Sequence, residues 1–212
     1  MKTEKDFEQY LEIIRQMAAE EGFDSLDETY VEHLKSRFFG QDVIIGRGER
    51  ILLRELKMSD LRAFYGFSDA EEESVLQSFL KESKEASEEH LAAYISHMYP
   101  MYDYGIWAAE RISDGEVIGL CGLGIADIDG AECTDLGYYI CPKCRNQGIA
   151  SECIEIVLDY AKNYLEIPLI CAIIKEENRI SEGILRKFGF TYKKQCVNNH
   201  QKVSVYEKVM TE

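Results

Sequence analysis

The 212-residue sequence predicts a mixed α/β (α+β) fold preceded by a helical extension. In the first 40 residues, and again over 148–165, apolar residues recur at a period of about 3.6, which is typical of amphipathic helices. From residue 50 onward, short apolar runs bounded by Gly, Pro or Asp alternate with helical patterns, as in a mixed sheet. No segment is repeated along the chain, so repeat architectures are excluded.

The N-terminal segment predicts two amphipathic helices. Thr3 and Asp6 form a capping-box pattern at the start of the first helix, and Gly22 marks its end. Ser25 and Glu28 form the same pattern at the start of the second helix. The apolar faces comprise Phe7, Tyr10, Leu11, Ile14, Met17 and Ala18 in the first helix and Leu26, Tyr30, Leu34 and Phe38 in the second.

A glycine-rich stretch at 39–49 predicts a linker after these helices. The expected domains are therefore residues 1–49, a helical extension with its linker, and residues 50–212, the main domain. A two-helix hairpin of this size seldom folds alone, because its core is too small. We expect it to pack on the main domain or on another subunit, which makes a homodimer one alternative for the assembly.

The main domain predicts strands and helices in alternation. Ser113-Asp114-Gly115 forms a turn between two strands, Pro142 ends a third strand, and Gly189 closes a helix. The predicted elements in chain order are a strand at 51–56, a short helix after Ser59, an acid-rich helix or helix pair at 69–98, strands at 104–111, 116–126 and 135–141, a helix at 148–165, a strand at 169–174, a helix at 178–187, and two strands at 190–197 and 203–210 that pair across a turn at Asn198-Asn199.

Three glycines, Gly119, Gly122 and Gly124, have a spacing that resembles a nucleotide-binding loop. Such a loop needs a helix that begins within it, whereas these glycines lie inside an apolar run from Val117 to Ala126. The sequence therefore predicts a strand to which another backbone or a ligand comes close.

Composition narrows the class of partner. The net charge of −15 argues against a nucleic-acid partner, which needs a basic face. No apolar run approaches the roughly 18 residues of a membrane span, and the charged N-terminus shows no signal peptide. We therefore expect a cytoplasmic protein that binds neither nucleic acid nor membrane and whose ligands are small or cationic.

The seven cysteines predict a reduced protein rather than a disulfide framework, because their number is odd and the chain is long. Cys141 and Cys144 have the spacing of a zinc knuckle, but no second pair completes a four-ligand set. The expectation is that no metal is bound and that these are incidental thiols. A zinc site shared between two subunits and a redox pair are the alternatives.

The loop Arg145-Asn146-Gln147-Gly148-Ile149-Ala150 lies between a strand and the long helix. Unpaired N–H groups at a helix start form an anion site that the helix dipole reinforces. Small residues at Gly148 and Ala150 allow a diphosphate to approach the backbone, and Arg145 adds positive charge. An ordinary strand-to-helix turn with a surface arginine is the alternative.

Three motifs together resemble the GNAT superfamily of acyl-CoA-dependent N-acetyltransferases, over residues 50–210. They are the strand Gly137-Tyr138-Tyr139-Ile140 with the Arg145-x-x-Gly148-x-Ala150 loop, the Asn178-x-x-Ser181 pair, and the segment Lys187-Phe-Gly-Phe190. The similarity is greatest to the ribosomal-protein-alanine acetyltransferase (RimJ/RimL-like) branch. The resemblance implies a central mixed, mostly antiparallel sheet flanked by helices, with acetyl-CoA as co-substrate and no metal.

The resemblance also assigns coenzyme-binding residues. It implies that the loop residues Arg145, Asn146, Gln147, Gly148, Ile149 and Ala150 hold the diphosphate of coenzyme A. The strand residues Tyr138, Tyr139 and Ile140 would bind the pantetheine amides through a splayed edge. Asn178 would also bind pantetheine, with a simple helix cap as the alternative.

For catalysis, the resemblance places a base at Asp135, which acts through a water, with Glu132 as the alternative base. Ser181 would protonate the leaving thiolate, since the tyrosine that many relatives use would fall at Leu185. A solvated strand-start carboxylate and an ordinary helix-surface serine are the alternatives for Asp135 and Ser181.

The acceptor is expected to be an amine. Residues 69–90 hold eight acidic residues and two lysines, a net charge of −6, where the family's acceptor helices lie. Such a run is usually a solvated face, but beside a pocket it would concentrate a cation. The sequence thus predicts transfer of an acetyl group from acetyl-CoA to a primary amine of a small cationic molecule or a protein N-terminus. The alternative function is a non-catalytic acyl-CoA-binding module that interacts through its N-terminal helices.

Overall fold

The computed structural model describes residues 2–67, 75–198 and 201–210. The chain divides into two compact units, Met1–Ile44 and Ile45–Glu212. Within the described residues, no helix combines the length and the apolar character needed to cross a bilayer.

The first unit is a helical hairpin with its own core. Helix α1 spans Glu4–Glu20 and begins at the predicted Thr3 capping box, and helix α2 spans Glu28–Phe39. The predicted cap at Ser25 is wrong, because the Asp27 carboxylate accepts the Thr29 N–H at 2.7 Å and begins α2. The buried residues Phe7, Leu11 and Leu34 form the core of the hairpin.

The second unit is built on an eight-stranded sheet with the order β1-β2-β3-β4-β5-β6-β8-β7. Its strands are β1 (Ile44–Arg47), β2 (Ile51–Arg54), β3 (Ile106–Arg111), β4 (Val117–Ile128), β5 (Ala131–Ile140), β6 (Leu169–Lys175), β7 (Thr191–Asn198) and β8 (Gln201–Val209). The described pairs are antiparallel except β5 with β6, which confirms the predicted mixed, mostly antiparallel sheet. Strand β1 lies in the stretch that the sequence predicted to be a linker.

The described residues of this unit also form the α-helices α3 (Leu61–Gly66), α4 (Lys84–Tyr102), α5 (Ile149–Asn163) and α6 (Arg179–Lys187). Helix α5 packs its apolar side on the sheet, where Tyr160 meets the fully buried Trp107 edge-on, with 5.4 Å between ring centroids. The short helix after Ser59, the long helix and the helix closed by Gly189 are thus confirmed.

Two predicted boundaries are wrong. For the helix or helix pair predicted over 69–98, the described helix begins only at Lys84, where the Ser83 hydroxyl caps it, and residues 68–74 lie outside the described part of the chain. Strand β5 begins at Ala131, earlier than predicted, because a tight turn at Asp129-Gly130 joins it to β4. Both turn residues have a positive φ, 56° and 82°, which Asp and Gly tolerate better than most residues.

The glycines of β4 lie inside a strand, as predicted, and not in a nucleotide loop. A Cβ at Gly122 would overlap the carbonyl oxygen of Gly105, and one at Gly119 would overlap that of Tyr139. These glycines therefore allow neighbouring backbone to approach β4 closely.

We predict that Gly122→Ala lowers the free energy of unfolding by about 1 to 3 kcal/mol, because the added methyl group overpacks the strand. Urea denaturation measures the change. Gly124→Ala is the matched control on the same strand, since its Cβ would meet only the Asp135 carbonyl oxygen at 4.0 Å. The control is expected to be neutral or stabilising, and equal losses in both variants would contradict the explanation.

Candidate active site

The site is organised by the divergence of β5 and β6, the parallel pair. Within the described part of the chain, their single bridge pairs Asp135 with Cys171. Beyond it, the edge of β5 that faces β6 carries no further described bridge to β6 at Leu136, Gly137 and Tyr138. Backbone N–H and C=O groups on such an edge are available to an extended ligand.

The predicted anion loop follows directly after β5. The Arg145 Nε donates a hydrogen bond to the Ile140 carbonyl oxygen at 2.9 Å, and its guanidinium lies 5.4 Å from the Tyr139 ring centroid. The Gln147 side-chain amide donates to the Lys143 carbonyl oxygen at 3.0 Å. These contacts fix the loop to the end of the strand.

The loop ends in an uncovered helix N-terminus. Asn146 and Gly148 have left-handed backbones, with φ of 59° and 79°, a conformation that Asn and Gly adopt more readily than most residues. Gly148 is the N-cap of α5 and offers no side-chain acceptor to the first turn. Ile149 is buried and Ala150 half-buried, so the first turn presents backbone N–H groups and little side-chain bulk.

Helix α6 begins at the other predicted coenzyme residue. The Asn178 Oδ1 accepts the Ser181 N–H at 3.0 Å, so its side-chain oxygen caps the helix. The alternative interpretation of Asn178 as a cap is therefore observed. Any role in ligand binding falls to its amide nitrogen.

The structure brings Ser181 together with a side chain that the sequence argument overlooked. The Tyr138 hydroxyl is buried, and burial raises its pKa, while the neighbouring Ser181 hydroxyl opposes that rise. Among the described residues this hydroxyl finds no partner with good hydrogen-bond geometry. The resemblance implies a role for Tyr138 through its backbone alone. Leu185, the position at which the resemblance would place a tyrosine, is fully buried.

Asp135 lies at the point where β5 and β6 diverge. Its Oδ1 accepts the backbone N–H of Ile173 at 3.1 Å. Some of its surface reaches solvent, but protein surrounds the carboxyl, and this burial raises the pKa of Asp135 to about 7 against the opposing hydrogen bond. A carboxyl with this pKa is suited to take up a proton near neutral pH.

The structure separates Glu132 from Asp135. Glu132 lies within β5, opposite Asp127 of β4, and is exposed. Because side chains alternate along a strand, residues three apart point to opposite faces of the sheet. Glu132 and Asp135 therefore do not share a pocket wall.

The cysteine motif forms a turn between β5 and the loop. Cys141 is half-buried and Cys144 is buried. Burial, together with the neighbouring Cys144 thiol, raises the pKa of Cys141 to about 11, which disfavours the thiolate that zinc or redox chemistry needs. Within the described ranges, no three His, Cys, Asp or Glu side chains are grouped as metal ligands.

The predicted acidic segment is described only in part. Asp69 and Glu71–Glu73 lie outside the described residues. The remaining acids Glu82, Glu85, Glu88 and Glu89 are exposed at and near the start of α4.

Two further residues at the loop, Arg50 and Glu152, were missed by the sequence argument. They form an ion pair with 2.8 Å between Nη2 and Oε2. They are 102 residues apart in the chain, so no local pattern signals their contact.

Comparisons with known proteins show the family of this chain. The family model described as acetyltransferase (GNAT) domain matches residues 50–191. YoaA of Bacillus subtilis, called an uncharacterized N-acetyltransferase, is 30% identical over 146 residues, which cover 67% of this chain and 80% of YoaA. YkkB of the same organism is 28% identical over 107 residues, or 50% of this chain, and the match spans 62% of YkkB, less than two thirds of its length.

Solved structures share the fold at low identity. A putative GNAT-family acetyltransferase from Bordetella pertussis has a TM-score of 0.67 at 14% identity, covering 78% of this chain and 99% of its own. The RimL ribosomal L7/L12 α-N-protein acetyltransferase, in complex with coenzyme A, has a TM-score of 0.63 at 19% identity, covering 79% and 98%. A variant of the spermidine N-acetyltransferase SpeG from Vibrio cholerae has a TM-score of 0.61 at 21% identity, covering 77% and 95%.

We predict that Asp135→Asn stabilises the protein at neutral pH. The folded carboxyl holds its proton up to about pH 7, whereas the unfolded one loses it near 3.8, so wild-type stability falls as the pH rises between these values. The variant lacks this fall and should be more stable by up to about 4 kcal/mol at pH 8. Urea denaturation at pH 4, 6 and 8 measures the difference.

Glu132→Gln is the control for this measurement, because it removes an exposed carboxyl from the same strand. Its stability relative to wild type should stay nearly constant over the same pH range. A constant difference for Asp135→Asn as well would show that the carboxyl is ionised throughout and that its pKa is not raised.

Proposed function

The chain belongs to the GNAT acetyltransferase family, and we propose that it transfers an acetyl group from acetyl-CoA to a primary amine of a small cationic molecule or a protein N-terminus. The single observation that carries this proposal is the position of Asp135. Its carboxyl, with a pKa of about 7, lies where β5 and β6 diverge, on the strand that leads into the predicted coenzyme loop.

The coenzyme would occupy the gap between β5 and β6. The uncovered N-terminus of α5, with Gly148 as its cap, supports a diphosphate site. The edge of β5 at Leu136, Gly137 and Tyr138, beyond its described bridge to β6, supports binding of the pantetheine amides as an added strand. When bound, acetyl-CoA supplies a thioester whose carbonyl carbon is open to attack by an amine.

Asp135 is proposed to take the proton that the amine must lose. A lysine-like amine with a pKa of about 10.4 is neutral about once in 2,500 molecules at pH 7, and an α-amino group about once in ten. Asp135 accepts this proton directly or through a water as the C–N bond forms. The raised pKa matches the carboxylate to such a step near neutral pH.

Ser181 is proposed to protonate the departing thiolate as the C–S bond breaks. The adjoining Tyr138 hydroxyl is buried beside Ser181. This second hydroxyl group could orient the Ser181 hydroxyl or return a proton to it. Both groups lie where β5 faces the first turn of α6.

An amine acceptor is supported by the chemistry named for two structural neighbours. One is a spermidine N-acetyltransferase, and the other acts on the α-amino group of a ribosomal protein. The exposed acids of α4, Glu85, Glu88 and Glu89, would favour a positively charged acceptor over a neutral one.

We predict that Asp135→Asn lowers kcat/KM by about 10²- to 10⁴-fold at pH 7 and removes the limb of the pH profile that rises near pH 7. Wild type rises through this pH because the base acts only as a carboxylate. Thiol release from acetyl-CoA is measured first with wild type against polyamines, aminoglycosides, amino acids and N-terminal peptides. The best acceptor is then used for the variant.

Glu132→Gln tests the competing base in the same assay. A loss confined to Glu132→Gln would transfer the role to Glu132, and an unchanged profile in both would exclude a carboxylate base on β5. If coenzyme A binds but no amine releases thiol, the protein is the non-catalytic acyl-CoA-binding module.

We predict that Gly148→Glu weakens coenzyme A binding by at least about 100-fold, because it adds a negative charge at the start of α5, where the diphosphate is expected. Isothermal titration calorimetry measures the affinity. Gly130→Glu is the matched control, since Gly130 has the same left-handed backbone, with φ of 82° against 79°, at the opposite end of β5. Normal affinity in Gly148→Glu would place the diphosphate elsewhere.

A further inference from the structure

Arg50, immediately before β2, reaches across to the coenzyme loop. Its Nη1 donates to the Gln147 carbonyl oxygen at 2.8 Å, and its Nε and Nη2 each lie 2.8 Å from the Glu152 Oε2. The Nη2 also lies 3.5 Å from the point that a Cβ on Gly148 would occupy. One guanidinium thus spans the loop and the first turns of α5.

The second carboxylate oxygen of Glu152 is bound by backbone N–H groups. Its Oε1 accepts the backbone N–H groups of Arg50 at 2.7 Å and Ile51 at 3.1 Å. Burial opposes the ionisation of Glu152, but the hydrogen bonds from Arg50 and Ile51 outweigh it and lower the pKa of the carboxyl. Glu152 is therefore an anion at neutral pH.

This anion lies close to the start of α5. The Glu152 N–H donates to the Gly148 carbonyl oxygen at 3.1 Å, so Glu152 is one helical turn from the cap. A carboxylate at that distance would repel a diphosphate bound at the helix N-terminus. The paired Arg50 guanidinium cancels this charge where the ligand is expected.

Arg50 also sets the direction of one amide. In a trans peptide the C=O and the following N–H point in opposite directions. Because the Gln147 carbonyl is bound to Arg50, the Gly148 N–H must face away from Arg50. The contact thus keeps a donor at the helix start from rotating.

The Arg50 side of this arrangement is open to solvent. Arg50, with a side chain 48% exposed, and Gly148 both line a cleft of about 650 Å³ along α5, whose other charged side chains include Lys187, Glu49, Glu155 and Asp159. The guanidinium is therefore neither sealed into the core nor remote from a ligand at the loop.

We propose that Arg50 is a positioning residue for coenzyme A, which neutralises Glu152 and fixes the Gln147–Gly148 peptide for diphosphate binding. This inference rests on the proposed function. It assigns Arg50 no contact with the acetyl group, so its effect should be confined to the diphosphate.

We predict that Arg50→Ala weakens coenzyme A binding by about 10- to 100-fold, because a charge-assisted contact is lost and Glu152 is left unpaired. Calorimetry measures this, with Lys194→Ala as the matched control. Lys194 forms an exposed ion pair with Asp129, 2.6 Å between Nζ and Oδ2, at the far end of β5. Equal affinities in both variants and wild type would overturn the proposal.

A truncated donor separates positioning from a general structural role. S-acetylpantetheine lacks the diphosphate, so Arg50→Ala should leave its kcat/KM within about twofold of wild type while raising the KM for acetyl-CoA. A matching loss with both donors would contradict the proposal. If Arg50→Ala does not fold, Arg50→Lys carries the same comparison, since it keeps the charge but loses the planar fork.

The double variant Arg50→Ala/Glu152→Gln tests the charge argument. Removing the unpaired anion should recover part of the coenzyme A affinity that Arg50→Ala loses. A pair that only stabilises the fold would give the double variant no recovery, which would overturn the proposal. If the wild-type protein does not bind coenzyme A, the proposed function is wrong. If it binds coenzyme A and Arg50→Ala has no effect, only the inference about Arg50 is wrong.

Discussion

The divergence of two parallel strands is the constraint on which the rest of the site depends. Strands β5 and β6 meet at Asp135 and Cys171, and α5 connects them on one face of the sheet. Because both strands run in the same direction, their carboxyl ends bring the coenzyme loop and the start of α6 to the same edge. The strand edge beyond the bridge, the anion loop and the buried carboxyl all follow from this arrangement.

The charge around the coenzyme loop depends on the nearest side chains rather than on the net charge of the chain. The net charge of −15 would suggest a poor environment for a diphosphate. Locally, however, Arg145 is fixed to the end of β5 and Arg50 is paired with the nearest carboxylate, Glu152. Other acids, Glu155 and Asp159, stay exposed further along α5, and the exposed acids of α4 are distant from the loop in the chain.

The sequence predicted those parts of the fold that depend on local patterns. The periodicity of α5 and the capping residues Thr3 and Asn178 mark their elements directly, because each acts within one turn of chain. The start of β5 was misplaced, since polar residues on an exposed strand end give no apolar signal. The Arg50 contact with α5 could not be predicted from a pattern, because it joins residues that only the folded sheet brings together.

Burial of Asp135 has a consequence for how the protein can evolve. The environment that keeps its carboxyl protonated near neutral pH also makes the ionised form costly to the folded state. Under selection for heat resistance alone, replacement of this residue would be an early improvement, whereas selection for turnover would reject it. Selection for thermal stability and selection for catalytic activity would therefore favour different residues at position 135.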